Sequence, residues 1–348
     1  MKTELFTYHL PEELIAVRPP ERRGDARLLV LSGASVEHRS IRDFSELVPE
    51  GSLLVLNDTR VRRARVLGAR APGGGKVELL FLRALEQASG EELWEALGRA
   101  NKPLRAGTRV AAPEFEAQVV GSGAGGLLRV RVRAEGGVER WLERSGHVPI
   151  PPYLRRADEP LDGERYQTVF AERTGSVAAP TAGLHLEAGA LERLRARGVE
   201  IEKLTLEIGV GTFRPVTADD LDRHEMHAES LEVSAALVSA VERARARRVP
   251  VVAVGTTVVR ALESAADPGE PGRIRAVRGE TRLLIQPGYA FRVVDGLLTN
   301  FHQPQSTLLA LVCAFAGRDP LLAAYAEAVA ARYRFLSYGD AMWIPRRA

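Results

Sequence analysis

Cysteine is almost absent from this sequence, and the one that occurs, Cys313, lies inside the apolar stretch LLALVCAFAG. A single cysteine excludes a disulfide within the chain and a zinc site made of several thiolates. Because its neighbours along the chain are apolar, Cys313 is expected to pack in the hydrophobic core rather than to act as a reactive thiol.

Long hydrophobic runs are also missing. The longest apolar stretch, around 308–316, is about half the length of a membrane span. The first residues, MKTELFTYHLPEELIAV, have neither the basic start nor the small-residue cleavage site of a signal peptide. These absences predict a cytoplasmic protein without a membrane segment, and the length favours two domains.

Lysine is scarce as well, so nearly all of the 48 basic residues are arginines. Five arginines stand in RVRRARVLGAR, residues 60–70, without an acidic residue, and three more alternate along LLRVRVRAEG as on one face of a strand. Such stripes suit phosphate groups, and a solvated strand face in an arginine-rich protein is an equal alternative. These arginines are Arg60, Arg62, Arg63, Arg65, Arg70, Arg129, Arg131 and Arg133.

Hydrophobic patterning divides the chain into two kinds of region. Residues 61–147 contain short alternating segments and glycine clusters, which predict a β-rich domain. The run GSLLVLN at 51–57 predicts a buried strand whose partners come from later in the chain, so 1–60 and 148–348 are expected to form one discontinuous α/β core. The remaining predicted helices are 187–198, 233–248, 257–266, 307–316 and 320–333, and the remaining predicted strands are 201–207, 250–254, 281–285 and 290–294.

The stretch TNFHQPQSTLLALVCAFAG places Asn300, His302 and Gln303 directly before a predicted core helix that Ser306 or Thr307 caps. The N-terminus of a helix favours an anion or a polar ligand. A purely structural loop would need only the cap, so these side chains are candidate functional residues.

Polar residues also follow the strand predicted at 51–57, in LNDTRVRRAR, and Asn57, Asp58 and Arg60 are candidates there. The stretch ERYQTVFAERTGSVAAPTAGLHL contains a long loop of small residues, which is typical of a close approach by a ligand. Its candidate residues are Arg165, Tyr166, Gln167, Thr181 and His185.

In VPVVAVGTTVVRALES, a strand, a glycine turn and two threonines precede a helix, as in sites that hold a carboxylate or a phosphate. Thr256, Thr257 and Arg260 are the candidates from this stretch, although a capped core helix is a comparable alternative. Near the C-terminus, YRFLSYGDAMWI is expected to present Tyr338 and Asp340 outward on a turn.

A metal site was considered in HEMHAE, residues 224–229, where His224, His227 and Glu229 are possible ligands. The histidines lack the four-residue spacing of a His-Glu-x-x-His zinc motif, and no third histidine or cysteine is near. No metal is therefore expected.

Six stretches, in this order, resemble the S-adenosylmethionine:tRNA ribosyltransferase-isomerase family of queuosine biosynthesis. They are LNDTRVRRAR, ERYQTVFAERTGSVAAPTAGLHL, HEMHAE, AVGTTVVRALES, TNFHQPQSTLLALVCAFAG and YRFLSYGDAMWI. One departure is Glu207 in LTLEIGVGTF, where the family usually has histidine. The resemblance implies a mixed α/β core with a barrel-like sheet and an inserted all-β barrel.

The resemblance also implies a reaction: the ribosyl part of S-adenosylmethionine is transferred and isomerised onto 7-aminomethyl-7-deazaguanine at the tRNA wobble position, which gives epoxyqueuosine and releases adenine and methionine. S-adenosylmethionine is consumed as a substrate, so no cofactor is expected. The partner is tRNA that carries the deazaguanine, with Arg62, Arg63 and Arg65 on its phosphates, and the protein is expected to be a monomer.

Within that reaction, His302, His185 and Asp340 are the catalytic candidates, and the other candidates bind substrate. Removing a proton from the carbon beside the sulfonium requires a positioned base in a water-poor site, and departure of adenine requires a proton donor. The residues leave the base unassigned. A metal-dependent hydrolase and a noncatalytic RNA-binding protein remain the alternatives.

Overall fold

The computed structural model of the chain describes every residue except 89, 124–125, 210–215, 217 and 348. The strands are β1 (Arg27–Ser32), β2 (Ser35–Ser40), β3 (Leu53–Asn57), β4 (Thr59–Val61), β5 (Arg65–Ala71), β6 (Lys76–Ala88), β7 (Glu91–Ala100), β8 (Arg109–Ala112), β9 (Phe115–Ser122), β10 (Leu128–Ala134), β11 (Arg173–Ser176), β12 (Glu200–Leu206), β13 (Glu229–Val233), β14 (Val251–Val254), β15 (Val277–Thr281), β16 (Gly296–Asn300) and β17 (Ala341–Ile344). The α-helices are α1 (Phe44–Leu47), α2 (Val138–Ser145), α3 (Pro160–Arg165), α4 (Ala188–Ala196), α5 (Ala235–Arg247), α6 (Thr256–Ala265), α7 (Thr307–Ala316) and α8 (Arg318–Ala330).

The core of the molecule is a nine-stranded sheet in the order β15-β13-β12-β3-β14-β16-β17-β1-β2. Four neighbours in its centre, β12, β3, β14 and β16, run parallel, so their carboxyl ends lie at one edge of the sheet. Along β3, Leu53 and Val55 face one hydrophobic cluster while Leu54 and Leu56 face another. Because both faces are covered, the central strands read as continuous apolar runs.

A second body is the closed six-stranded barrel β10-β7-β6-β5-β8-β9. It has its own core, which includes Phe81, Trp94 and Phe115, and α2 contributes Trp141 to it. The predicted fold class, a mixed α/β core with an inserted all-β barrel, is confirmed. The barrel strands and α2 lie inside the segment 61–147, but the division into an inserted domain and a core of 1–60 and 148–348 stays a prediction.

Helix α7 shows how local sequence determines the boundaries. The Ser306 hydroxyl accepts a hydrogen bond from the Leu309 N–H at 3.1 Å, and the helix ends before Gly317, whose φ is 82°. The helix predicted at 307–316 is confirmed, and Cys313 inside it is buried. Helices α4, α5, α6 and α8 lie on the other predicted helical segments, and strands β3, β12 and β14 on three of the predicted strands.

Two predicted strands, 281–285 and 290–294, are wrong. The strand in the first region, β15, ends at Thr281, and the Leu283 N–H instead donates to the Thr281 hydroxyl. In the second region, the N–H groups of Val293 and Val294 donate to the Glu263 carboxylate of α6. The Glu263 carboxylate thus accepts the backbone hydrogen bonds that a neighbouring strand was expected to accept.

Among the described residues, no single helix is long and apolar enough to cross a membrane. Helices α7 and α8 meet the length and composition criteria only as a pair, and they are bent by 114° relative to each other.

Candidate active site

A cavity lies at the edge of the central sheet where the parallel strands β14 and β16 end. Its apolar wall includes Ala178, Ile208, Phe301, Leu308 and Leu336. Seven of the predicted site residues line it, and they come from three separate stretches of sequence. These are Thr181, Thr256, Thr257, Arg260, Asn300, His302 and Gln303.

The turn from β14 into α6 forms one wall. Gly255 has a φ of 96°, a backbone conformation that a residue with a side chain rarely adopts. The turn brings Thr256 and Thr257 to the first turn of α6 at the cavity. Four residues into the helix, Arg260 is buried and forms an ion pair with Glu229.

His302 follows β16 and is buried, at 8% exposure. Its Nε2 lies 2.8 Å from the hydroxyl of Thr299, and its backbone N–H donates to the hydroxyl of Tyr325 at 3.0 Å. Burial lowers the pKa of His302 to about 4, so the imidazole is neutral at pH 7. A neutral imidazole has one nitrogen with a free lone pair, which can accept a proton.

Asn300 connects the cavity to a second buried histidine. Its side-chain N–H₂ donates to Nε2 of His185 at 3.0 Å and to the carbonyl of Leu336 at 3.1 Å. The carbonyl can only accept, so these contacts identify Nδ2 as the atom that faces it. The remaining atom, Oδ1, is buried and has no hydrogen-bond donor.

His185 lies behind Asn300 and is not part of the cavity lining. Burial, and then the positive charges of Arg23 and Arg334, lower its pKa to about 4. Because Nε2 accepts from Asn300, the neutral ring carries its proton on Nδ1. The structure therefore places His185 where it orients Asn300 rather than where it reaches a ligand in the cavity.

Asn57 and Asp58, at the end of β3, lie outside the cavity lining. The Asn57 amide donates to the carbonyl of Leu206 at 3.0 Å and accepts from the N–H groups of Thr59 and Leu206, so it joins the ends of β3 and β12. Burial raises the pKa of Asp58, and its carboxylate accepts from the Thr205 hydroxyl at 2.7 Å. Both side chains have partners within the fold.

The three candidates at 165–167 also contact protein groups. The Arg165 guanidinium donates to two backbone carbonyls, those of Pro20 and Glu21. Gln167 pairs with both backbone groups of Val61. Tyr166 is buried, and its ring meets that of Tyr338 edge to face at 5.8 Å.

The expectation that a turn presents Tyr338 and Asp340 outward is wrong, because both are buried. The Tyr338 hydroxyl donates to Asp162 at 2.7 Å. The Asp340 carboxylate accepts from the backbone N–H groups of Arg27 and Arg334, each at 2.8 Å. Neither residue lines the cavity, and the contacts of Asp340 stabilise the C-terminal segment.

The arginines at 60–65 divide into two pairs. Arg62 lies 3.0 Å from Glu139 of α2, and Arg65 lies 3.0 Å from Glu78 of β6. Residues 60–70 contain no acidic residue, so carboxylates from other elements neutralise these two arginines. Arg60 and Arg63 are exposed. Arg62 and Arg65 thus already neutralise carboxylates of the same chain, and the phosphate contacts expected of Arg62, Arg63 and Arg65 stay a prediction.

Sequence reasoning missed Thr299, Tyr153 and Ser337, which also line the cavity. Thr299 precedes His302 by three residues. This spacing alone does not predict a contact, because the contact depends on how the backbone turns between the two residues. The Tyr153 and Ser337 hydroxyls contact each other although the residues lie 184 positions apart in the sequence. No local signal identifies such a pair. For the residues that the structure describes, no group of three or more His, Cys, Asp or Glu side chains is arranged to hold a metal ion.

A family model described as queuosine biosynthesis protein matches residues 3–344 of the chain. The S-adenosylmethionine:tRNA ribosyltransferase-isomerase of Sorangium cellulosum is 52% identical, over 99% of this chain and 98% of the relative. The enzyme of that name from Anaeromyxobacter sp. strain Fw109-5 is 50% identical over 99% of each. A solved structure of an S-adenosylmethionine tRNA ribosyltransferase from Thermotoga maritima is 34% identical, with a TM-score of 0.55 and coverage of 98% of this chain and 99% of that one. The chain belongs to the queuosine biosynthesis protein family.

Proposed function

We propose that the protein transfers and isomerises the ribosyl part of S-adenosylmethionine onto 7-aminomethyl-7-deazaguanine at the tRNA wobble position. Epoxyqueuosine forms, and adenine and methionine leave. Family membership and the names of the relatives support this reaction. The observation that carries it is a largely apolar cavity lined by the buried imidazole of His302 and by Asn300, whose buried amide oxygen has no partner.

In this proposal His302 is the base that removes the proton from the carbon beside sulfur. The hydroxyl of Thr299 lies 3.3 Å from the carbonyl of Asn300, to which it can only donate. If it donates there, it accepts from the Nε2–H of His302, and both contacts are satisfied. The lone pair then resides on Nδ1, for which the described residues supply no donor. An apolar wall around that atom excludes competing water.

Asn300 has a binding role in the same proposal. The amino group of adenine and the hydroxyls of ribose are donors, and the buried Oδ1 of Asn300 is an acceptor without a partner. Burying an unpaired acceptor is unfavourable by about 1–3 kcal/mol, so a ligand that donates to it gains affinity. His185 and Leu336 hold the amide in the orientation that offers this oxygen.

The remaining expectations belong to this proposal too. S-adenosylmethionine is a substrate rather than a cofactor, tRNA is the partner, and the exposed Arg60 and Arg63 contact its phosphates. A cytoplasmic monomer, with residues 61–147 as an inserted domain, completes it. The exposed positions of Arg60 and Arg63 support the phosphate contacts.

The test is to incubate the purified protein with S-adenosylmethionine and tRNA that carries the deazaguanine. Free adenine and methionine are expected in equal amounts, and only when both substrates are present. Methyl transfer to the tRNA, with adenosylhomocysteine as product, would overturn the proposal, and so would binding of tRNA without consumption of S-adenosylmethionine.

A further inference from the structure

One nitrogen of the Arg260 guanidinium has no partner. Nε donates to the carbonyl of Leu283 at 2.9 Å and Nη1 contacts the carboxylate of Glu229, whereas Nη2 is buried without an acceptor. Arg260 is only 5% exposed, so bulk water does not replace the missing acceptor of Nη2. Buried donors on charged groups normally have an acceptor. Among the described arginines with an unpaired buried nitrogen, Arg260 is the one that lines the cavity, so a ligand there can supply the missing acceptor.

Arg260 shares a helix face with the start of α6. It lies four residues after Thr256, and both residues line the cavity beside Gly255. Side chains on a helix lean towards its N-terminus, so the guanidinium lies over the turn that contains Thr256. The first N–H groups of a helix have no acceptor inside it, and the end of the helix has a partial positive charge.

We propose that Nη2 of Arg260 and the first turn of α6 form the subsite for the amino-acid carboxylate of S-adenosylmethionine. This inference rests on the proposed function, because it takes S-adenosylmethionine as the ligand. The carboxylate is the only anionic group of that molecule. The planar guanidinium fork suits a carboxylate, and Glu229 already balances the charge of Arg260, so the helix end and the free N–H₂ supply the attraction.

The subsite also orients the rest of the molecule. Strands β14 and β16 are parallel neighbours, so the start of α6 and the segment at Asn300 and His302 lie side by side at the same sheet edge. With the carboxylate at α6, the ribose and adenine extend towards Asn300. The carbon beside sulfur then lies between the two subsites, next to His302.

The experiment compares S-adenosylmethionine with decarboxylated S-adenosylmethionine on the wild-type protein and on Arg260→Gln and Arg260→Lys. Binding is measured by calorimetry, and adenine release is measured separately. The wild type is expected to bind the carboxylated form about tenfold to a hundredfold more tightly, the range for a charge-assisted hydrogen bond. Both variants are expected to lose most of this preference and to bind the decarboxylated form as the wild type does.

Arg245→Gln is the matched control, because Arg245 also contacts a carboxylate, Asp295, and a backbone carbonyl, that of Val293, but lies outside the cavity lining. It is expected to keep the full preference. Arg260→Lys keeps a cation beside Glu229, so it is expected to fold even if Arg260→Gln does not. The carboxylate preference can then be measured on the lysine variant. A wild type without preference, or an Arg260→Lys variant that retains it, overturns the subsite. Carboxylate-dependent binding without adenine release overturns the reaction and leaves the subsite standing.

Discussion

The core cavity and the barrel use polar side chains in different ways. On the barrel, arginines form ion pairs with carboxylates of the same chain. Arg62 pairs with Glu139, and Arg133 pairs with Glu91. In the cavity, the side chains of Arg260 and Asn300 are buried and each leaves one atom without a partner. Arg62 on the barrel also has a buried Nε without a hydrogen-bond partner, so a single unpaired atom does not by itself indicate a ligand site. What distinguishes the cavity is that an unpaired donor on Arg260 and an unpaired acceptor on Asn300 belong to residues that line the same cavity.

The largest expected effect comes from removing the proposed base. His302→Ala is predicted to reduce turnover by about 10²–10⁴-fold, the usual contribution of a positioned acid–base group. The melting temperature should change little, because the Thr299 hydroxyl keeps the Asn300 carbonyl as an acceptor. Adenine release and thermal unfolding are the measurements.

His38→Ala is the control, since His38 pairs with Tyr333 and Glu327 away from the cavity. It should leave turnover unchanged. If His302→Ala instead unfolds the protein while the folded remainder keeps its specific activity, His302 only stabilises its loop.

The second prediction concerns the stability of the folded protein at acidic pH. Burial lowers the pKa of His302 from 6.5 to about 4 in the folded protein. Between these values the unfolded chain binds a proton that the folded protein does not, so stability is complete above pH 6.5 and decreases as the pH falls towards 4. The contribution of this group to the loss is roughly 3 kcal/mol.

Urea unfolding at a series of pH values checks this expectation. A His302→Gln variant has no titrating ring at this position, so its stability should fall less steeply than that of the wild type between pH 6.5 and 4. Identical slopes for the two proteins would show that His302 is not held neutral by burial.

The third prediction separates packing from chemistry inside the core. Cys313→Ser should lower the free energy of unfolding by about 1–3 kcal/mol, because a hydroxyl is buried without an assured partner. Burial raises the pKa of the Cys313 thiol to about 12, so thiol reagents should react only after unfolding. Turnover per folded molecule should stay the same. Loss of turnover at full stability would assign the thiol a chemical role.

The fourth prediction uses two adjacent arginines at the barrel entrance. Arg63 is exposed, whereas Arg62 contacts Glu139 and packs over the Trp94 ring at 5.4 Å. Arg63→Ala should reduce the salt slope of log tRNA affinity by somewhat less than one unit, the value for one phosphate contact. Arg62→Ala should lower stability and leave the slope unchanged. The reverse pattern would mean that the intramolecular ion pair opens to bind tRNA.

The smallest expected effect is that of a chelator. A sulfonium already provides a good leaving group, so prolonged chelation should leave the rate of adenine release unchanged. A rate that disappears on chelation and returns with added zinc would contradict this expectation and favour a metal-dependent enzyme.

Local rules predicted the elements whose ends are determined by neighbouring residues. Helix α7 was predicted from its cap Ser306 and the terminal Gly317, and the buried strands β3 and β14 were predicted from their apolar runs. The same rules selected Thr256, Asn300 and His302 as separate candidates, and the structure brings them to one cavity because the ends of the parallel strands β14 and β16 meet.

Long-range partners account for what was missed. The segment 290–294 has the apolar pattern of a strand, but Glu263 of α6 takes its N–H groups. Tyr338 looks like an exposed turn residue until Asp162, 176 positions away, accepts from its hydroxyl. His185 lies outside the cavity lining, and its contact with Asn300, 115 positions away, could not be predicted from the sequence. In each case the decisive contact joins segments whose proximity no local pattern shows.

The two ends of the segment that contains the barrel strands lie side by side, and this has a consequence for folding. Arg65 and His147 form an isolated antiparallel bridge, with N–H to carbonyl contacts in both directions at 2.8 and 3.2 Å. This pair closes the segment that contains the barrel strands, as the closing pair of a hairpin closes its loop, and Val177 from outside the segment also packs in the barrel core. Closing a loop becomes harder by only about 0.6 kcal/mol for each doubling of its length. Compared with a five-residue turn, this segment is about four doublings longer, so closing it costs roughly 2–3 kcal/mol more in conformational entropy. Replacing residues 66–146 with a short turn should thus remove this closure cost, and it should also expose Val177, which packs in the barrel core.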